Sequence, residues 1–284
     1  MSFRSRTLIL PALALIATAC ADSTSPARST GPSADPELTA NERGMFHRFV
    51  SIGTSISMGW QSDGAIGTAQ AQSWTAQLAQ LADREQSLPL IAFPGCRSPL
   101  RAPLGTGARL SGEGAGQNPL TLTCAANEDG VTLPAQNVSV ASARTSEVLT
   151  ATPESKAGTE YGPLYGRILA PGTTQLQAAL SQKPKFISVE LGGNEVLGAR
   201  SGEAARIGFA YMALDGLYGR PDIKFVYSTQ ALLGSPVPYG VAISLDGIHP
   251  SQAGHTILAA AAAGAINTRY GTSFPATAAQ IALR

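Results

Sequence analysis

Residues 48–55 are Arg48-Phe49-Val50-Ser51-Ile52-Gly53-Thr54-Ser55, an apolar run typical of a buried strand that ends in a glycine and a serine. A second apolar run over residues 185–191 ends in Gly192-Gly193-Asn194-Glu195, and a third over residues 137–140 leads through Ala141-Ser142-Ala143 into a helical pattern. In open parallel sheets, ligands bind at the carboxyl ends of the strands. The sequence therefore predicts polar groups at three such strand ends.

A fourth segment, Asp246-Gly247-Ile248-His249-Pro250, precedes another helical pattern. A serine hydroxyl is a weak nucleophile unless a neighbouring base takes its proton, and a carboxylate fixes the tautomer and orientation of that base. The chain has three histidines, His47, His249 and His255. His249 is the best placed as a base, because Asp246 lies three residues before it at a helix entrance. The alternative interpretation is an ordinary turn with His249 as an exposed loop residue.

These four segments resemble the four sequence blocks of the SGNH or GDSL hydrolases, in the same order and in comparable strand-end contexts. The resemblance implies that Ser55 is the nucleophile, His249 the base and Asp246 the acid that orients His249. It also implies three oxyanion donors, which are the backbone amides of Ser55 and Ser142 and the side-chain amide of Asn194. The implied reaction is hydrolysis of a carboxylic ester through an acyl-serine intermediate, with no metal or organic cofactor.

Three residue types depart from the family pattern within the matching residues, 48–269. Thr54 stands in place of an Asp, and Glu195 stands in place of the Asp that follows Asn194. Ser142 stands in place of a Gly, and it can serve as an amide donor unless the backbone there requires a positive φ. None of the three removes a group that the expected chemistry uses.

The spacing after Glu195 is a fourth departure. Only fifty residues separate Glu195 from Asp246, with one helical pattern over residues 203–218 and one strand-like run over residues 223–228. The family usually has a further strand and helix there, so we expect a sheet that is shortened after the third block. This shortening motivates a second hypothesis, in which the chain is a catalytically silent envelope lipoprotein that acts as a binding module.

Strand-like runs alternate with helical patterns along the chain, and helices are predicted over residues 73–84, 175–181 and 251–266. This alternation predicts an α/β protein, a three-layer α/β/α sandwich with a mainly parallel sheet of four or five strands. One domain is expected over residues 45–284, and two small domains are the alternative. The α/β-hydrolase architecture instead places its serine in a G-x-S-x-G elbow, and here the fifth position is Ser57.

Composition is consistent with one globular, exported domain. The chain has 284 residues, of which 44% are hydrophobic and 14% are charged, enough for one substantial core. Its 20 basic and 19 acidic residues give a net charge of +1. This balance predicts neither a nucleic-acid partner nor strong electrostatic attraction to a membrane surface.

The amino terminus has the pattern of an export signal. Residues 8–19 are a short apolar run that follows two arginines, which is typical of a signal peptide and too short to span a bilayer. The run ends at Cys20 in a lipobox-like context, so we expect a signal peptide over residues 1–20 with lipid on Cys20. Ordinary cleavage after Ala19 is the alternative. Residues 21–44 are rich in Ser, Thr and Pro, which predicts a flexible linker to a bacterial cell envelope anchor.

Two further cysteines, Cys96 and Cys124, lie in a Gly- and Pro-rich segment over residues 93–134. In an oxidising compartment they are expected to form a disulfide, and the alternative is two buried free thiols. A long irregular loop of this kind is usually tied down or functional, and this one could wall the substrate site. Zinc is not expected, because no histidine or further cysteine has ligand spacing nearby.

Three more residues have a structural and a functional interpretation. Trp60 and Trp74 flank the serine segment, where they could line a substrate pocket, although packing of the first helix is the favoured interpretation. His255 lies on the helix after the Asp–His segment and is interpreted as structural. The ester substrate itself is left open among a lipid, an acetylated sugar and a small ester.

Overall fold

The sheet of this protein is parallel and centres on the strand that precedes Ser55. The computed structural model of the chain describes residues 39–112, 122–200 and 235–282. Strand β1 (Phe49–Ile52) pairs in parallel with strand β2 (Phe186–Val189), with Phe49 opposite Phe186 and Ile52 opposite Val189. All four residues of β1 are buried. Both predicted strands are confirmed, and their carboxyl ends lie at the same edge of the sheet.

The third predicted run, residues 137–140, lies along the other edge of β1. It forms a single parallel bridge between Ser51 and Asn137. The Val138 amide donates to the Ser51 carbonyl at 3.0 Å, and the Val140 amide donates to the Gly53 carbonyl at 3.1 Å. Three parallel segments therefore end together, although only β1 and β2 are regular strands in the described parts of the chain.

The described residues form ten α-helices and two 3-10 turns. The α-helices are α1 (Ala40–Met45), α2 (Ser55–Met58), α3 (Gly67–Gln70), α4 (Trp74–Leu81), α5 (Glu147–Thr150), α6 (Gly162–Ile168), α7 (Gln175–Ser181), α8 (Gly193–Arg200), α9 (Gln252–Tyr270) and α10 (Ala278–Ala282). The 3-10 turns cover Phe46–Arg48 and Leu104–Thr106. A mixed α/β architecture results, in which each described strand is followed by a helix.

The three predicted helices are confirmed, and their ends have identifiable caps. Ser73 accepts the Ala76 amide at the start of α4, and Ser251 accepts the Gly254 amide at the start of α9. A reciprocal capping box between Thr174 and Gln177 begins α7. Helix α9 continues four residues beyond its predicted end and stops at Gly271, whose φ of +65° suits a glycine.

The amino-terminal boundary of the domain differs from the prediction. The predicted linker reaches residue 44, but α1 is already helical from Ala40. An ion pair between Arg43 and Asp83 and a hydrogen bond from Arg84 to the Arg43 carbonyl tie this helix to the end of α4. The predicted signal peptide, Cys20 and the patterns over residues 203–228 lie outside the described residues. No described helix is both long and apolar enough to cross a membrane.

The predicted disulfide between Cys96 and Cys124 is confirmed. Backbone hydrogen bonds in both directions join Cys96 to Ala65, just after the serine segment. Apart from the turn at Leu104–Thr106, the described parts of this segment form isolated bridges and bends, as expected for an irregular loop. The disulfide therefore holds the loop against the part of the chain that follows Ser55.

Both tryptophans pack around the serine segment, Trp60 in the interior and Trp74 partly buried. Trp60 is 1% exposed, and its ring centroid lies 5.9 Å from that of Tyr161 and 6.3 Å from that of His249. The Trp74 indole nitrogen donates to Ser57 Oγ at 3.1 Å. The packing role is confirmed for both, and Trp60 also forms part of the wall behind His249.

His255 lies in the contact between α9 and α4 and is fully buried. Its Nδ1 accepts the Trp74 amide at 3.3 Å, so the neutral ring carries its hydrogen on Nε2. Burial, together with the charge of nearby His249, lowers the pKa of His255 to about 4. The ring is therefore neutral in the folded protein at pH values where an exposed histidine is largely protonated.

Because of this lowered pKa, we expect the folded protein to become less stable in acid. Between pH 6.5 and about 4, His255 takes up a proton when the protein unfolds but stays neutral in the folded protein. Its contribution to the free energy of unfolding is therefore complete above pH 6.5 and is lost as the pH falls toward 4. We expect the free energy of unfolding to decrease by about 3 kcal/mol over this range through this residue. Denaturant titrations at several pH values should show a flatter profile for His255→Asn. The exposed His47, changed to Asn, is the control, and an unchanged profile in His255→Asn would contradict the assignment.

Candidate active site

Ser55 is delivered by the turn between β1 and α2. Strand β1 ends at Ile52, and Ser55 is the first residue of the short helix α2. A side chain at Gly53 would lie 2.6 Å from Ser57 and 3.1 Å from the Glu190 carbonyl, so only glycine fits this close approach. Ser55 is 6% exposed. The chain thus presents a nearly buried hydroxyl at the carboxyl end of the central strand.

The structure brings Ser55, His249 and Asp246 into one hydrogen-bonded series. His249 Nε2 lies 2.9 Å from Ser55 Oγ, and His249 Nδ1 lies 2.7 Å from Asp246 Oδ2. The side chains of His249 and Asp246 are only 13% and 8% exposed. The alternative of an exposed loop histidine is therefore wrong for His249. Residues separated by 194 positions in the chain form a serine–histidine–carboxylate arrangement.

The loop before α9 is shaped around the Asp246 carboxylate. Asp246 Oδ1 accepts the amides of Ile248 and His249, each at 2.9 Å, and the Ser244 hydroxyl at 3.0 Å. Gly247 has a φ of +72°, in the left-handed region that favours glycine. This turn is closed by the Ser244 amide, which donates to the His249 carbonyl at 2.8 Å. The Asp–His spacing places both side chains on one rigid turn.

The ionisation of Asp246 determines the tautomer of His249. Burial alone would raise the pKa of Asp246, but hydrogen bonds from the His249 ring and its charge, with the amides of His249 and Ile248, outweigh burial and lower it to about 2. Because an ionised carboxylate only accepts hydrogen bonds, Nδ1 of His249 carries a hydrogen toward Asp246. Nε2 is then free to accept the Ser55 hydroxyl hydrogen, as a general base requires.

Asn194 and Glu195 hold the turn that contains Ser142. Asn194 Nδ2 donates to the Ala143 carbonyl at 2.8 Å, and Glu195 Oε1 accepts the Thr145 amide at 2.8 Å. Because a carboxamide has two N–H donors, Asn194 retains a second donor for a ligand. Both residues lie at the start of α8, directly after β2. The end of β2 therefore fixes the neighbouring turn after residues 137–140.

Ser142 has a backbone conformation that usually selects glycine. Its φ is +66°, and a left-handed conformation costs a residue with a side chain about 1–2 kcal/mol. The backbone at this position therefore does require a positive φ, the one case in which the missing glycine matters. Ser142 adopts this conformation with strain. Neither its amide nor that of Ser55 donates to a backbone carbonyl in the described parts of the chain. Both amides therefore remain as possible hydrogen-bond donors to a ligand.

Glu190 also contributes to the site, although it was not predicted from the sequence. Its carboxylate accepts the Thr54 amide at 3.0 Å, the Thr54 hydroxyl at 2.9 Å and the Ser57 amide at 3.3 Å. An Asp at position 54 would face this carboxylate, whereas Thr54 can donate to it. The sequence feature that could have indicated this role is a charged residue near the end of an otherwise apolar run. Glu190 thus braces the turn that carries Ser55 from the adjacent strand.

Comparison with protein-family models, with curated proteins and with solved structures finds no match to this chain. No group of three or more His, Cys, Asp or Glu side chains within the described ranges could hold a metal ion.

Proposed function

We propose that this protein is a serine ester hydrolase of the SGNH or GDSL type. The observation that carries the proposal is the hydrogen-bonded series Ser55–His249–Asp246 at the carboxyl end of β1. A serine, a histidine and a carboxylate in this order are the parts that nucleophilic acyl transfer needs. Small side-chain exposure at all three positions keeps bulk water from competing with them.

The proposed reaction has two halves that use the same residues. Ser55 Oγ attacks the ester carbonyl carbon while His249 Nε2 takes the hydroxyl proton, and the ionised Asp246 stabilises the imidazolium that forms. Collapse of the tetrahedral intermediate breaks the bond to the alcohol, which receives the proton from His249. Water then attacks the acyl group on Ser55 with His249 again as the base, and the carboxylic acid is released.

Oxyanion stabilisation is assigned to three donors at adjoining strand ends. The amides of Ser55 and Ser142 have no backbone acceptor among the described residues, and Asn194 has its second carboxamide hydrogen. Such donors act most strongly when they are fixed before the reaction begins. The contacts of Asn194 with Ala143 and of Glu195 with Thr145 supply that rigidity.

We propose the three-layer α/β/α sandwich with four or five strands as the complete fold. The parallel alignment of β1, β2 and residues 137–140, with helices following β1 and β2, supports this architecture. Export to the bacterial cell envelope with lipid on Cys20 is proposed as well. The disulfide between Cys96 and Cys124 supports this compartment, because such bonds persist in oxidising environments.

Ester turnover is the test of the proposed function. The purified protein should hydrolyse p-nitrophenyl esters, and a series of acyl lengths would define the acyl preference. An organophosphonate should label Ser55 in the folded protein, as located by peptide mass spectrometry. Absence of both turnover and labelling would favour the catalytically silent binding module, and labelling at another residue would assign the chemistry elsewhere.

Removal of the Asn194 carboxamide should lower the rate of ester hydrolysis. We expect Asn194→Ala to lower kcat about 100-fold to 1,000-fold, because one oxyanion donor is lost. Steady-state kinetics with a p-nitrophenyl ester would measure this effect. Asn267→Ala is the matched control, since the Asn267 side chain also donates to a backbone carbonyl, that of Phe274 at 2.8 Å, on helix α9. Equal effects of the two substitutions would point to a general loss of structure.

A further inference from the structure

A tight turn after the serine segment is held in an unusual conformation. Gln61 and Gly64 exchange backbone hydrogen bonds of 3.0 Å, so Ser62 and Asp63 are the two central residues of the turn. Both have positive φ values, +51° and +58°. This is the mirror-image type of turn, in which glycine, asparagine and aspartate are the usual central residues, so Ser62 is the less usual of the two. Strained residues of this kind persist only where the surrounding structure holds them in place.

The two central amides of this turn both donate to the loop that carries Asp246. The Asp63 amide donates to Asp246 Oδ2 at 2.7 Å, the same oxygen that faces His249 Nδ1. The Ser62 amide donates to Ser244 Oγ at 3.0 Å, and Ser244 in turn donates to Asp246 Oδ1 at 3.0 Å. Each oxygen of Asp246 is therefore supported from the strained turn, one directly and one through a single hydroxyl.

Two arginines from the disulfide-tied loop hold the Asp63 side chain. Arg97 Nη1 donates to Asp63 Oδ1 at 2.8 Å, and Arg109 Nη2 donates to Asp63 Oδ2 at 2.7 Å. Their side chains are only 12% and 7% exposed. Arg109 Nη1 also donates to the backbone carbonyls of Asp63 and Ser98, at 3.2 and 2.7 Å. Arg97 and Arg109 thus form a clamp on the Asp63 side chain. Arg97 directly follows the bonded Cys96, so the disulfide-tied loop anchors this clamp.

This arrangement is costly if its only role is stability. The Asp63 side chain is 29% exposed and the two arginines are largely buried. Ion pairs at such sites add little net stability, because solvent screening and the desolvation of the charges offset their attraction. Two consecutive side chains in the left-handed region add strain that an ordinary surface turn would avoid. What the arrangement provides is a fixed direction for the Asp63 amide, because the side chain and the carbonyl of Asp63 are both held by Arg109.

We infer that Asp63, clamped by Arg97 and Arg109, is a positioning residue that fixes the Asp246 carboxylate against His249 through its own backbone amide. The inference rests on the proposed function, since it assigns Asp63 to the Ser55–His249–Asp246 series. Asp63 does not contact the reacting atoms. It acts by keeping the Asp246 oxygen within hydrogen-bond reach of His249 Nδ1, where a displacement of about 1 Å costs on the order of 100-fold in rate.

The test is Asp63→Asn, which retains a residue that tolerates a positive φ but removes the charge held by the two arginines. We expect kcat to fall about tenfold to 100-fold with KM unchanged, because the orientation of the base is disturbed and the substrate contacts are not. The proton resonance of the His249 Nδ1 hydrogen, shifted downfield by its short bond to Asp246, should move upfield or broaden. Asp83→Asn is the matched control, since Asp83 also has a positive φ, +53°, and also pairs with an arginine, Arg43.

A second variant covers the case in which Asp63→Asn does not fold. Arg97→Gln removes one arm of the clamp and should lower kcat in the same direction, and the double variant should cost less than the product of the single effects. A wild-type downfield resonance that both variants retain would overturn the inference, whether or not the protein hydrolyses esters. Active wild-type protein with unchanged kcat in both variants would also overturn it. Failure of the wild type to hydrolyse any ester would instead count against the proposed function.

Discussion

Replacement of Ser55 by alanine should lower kcat for ester hydrolysis by roughly 10⁴-fold or more, because no acyl-serine intermediate can form. His249→Ala should have an effect of similar size, since the Ser55 hydroxyl then keeps its proton. The structure connects the two side chains by a hydrogen bond of 2.9 Å. The double variant should therefore cost little more than either single variant, as expected for residues that act as one unit.

Steady-state kinetics of the wild type and the three variants would measure this non-additivity. Ser139→Ala is a suitable control, because Ser139 is also a buried serine and its Oγ has no hydrogen-bond partner among the described residues. We expect it to retain wild-type kcat. Multiplicative effects of Ser55→Ala and His249→Ala, or ester hydrolysis that survives in Ser55→Ala, would show that the two residues do not form one catalytic unit.

The second large effect is expected for Asp246→Asn. A drop in kcat of about 10⁴-fold should occur with little change in KM, because an asparagine amide donates to His249 Nδ1 and selects the wrong ring tautomer. The low pKa of Asp246, about 2, means that the wild-type carboxylate stays ionised throughout the pH range of an ordinary assay. The loss should therefore be present at every pH in that range.

Kinetics of Asp246→Asn between pH 5 and pH 9 would check the prediction, with circular dichroism to confirm folding. Asp129→Asn, on an exposed turn, controls for the loss of one negative charge. A similar KM together with the reduced kcat would place the defect in the chemical steps and not in substrate binding. A variant that retains most of the wild-type kcat would show that His249 is oriented by other contacts.

Local structure was largely predictable from the sequence. The apolar runs identify β1 and β2, because a short uninterrupted apolar segment is typical of a strand in a parallel sheet. Helices α4, α7 and α9 begin where Ser73, Thr174 and Ser251 offer side-chain oxygens to the first free amides. The disulfide between Cys96 and Cys124 was predictable from the cysteine count together with the predicted export signal. All of these features depend on residues that are close in the chain or on composition.

Several parts of the candidate site were not predictable in this way. The positive φ of Ser142 follows from the turn that Asn194 and Glu195 hold, and no property of a serine in the sequence indicates it. The bracing of Thr54 by Glu190 depends on the parallel pairing of β1 with β2. The strained turn at Asp63 likewise depends on arginines 34 and 46 positions further along the chain.

The sequence by itself determined the residue types and local conformations: which runs form strands, where helices begin, and which serine, histidine and aspartate are available for chemistry. Only the tertiary structure decided that Ser55 and His249, 194 positions apart, lie 2.9 Å from each other. The reason is physical. Local conformation depends on steric and hydrogen-bonding preferences within a few residues, whereas a hydrogen bond between distant side chains requires the packed sheet, helices and disulfide-tied loop to fix both partners at once.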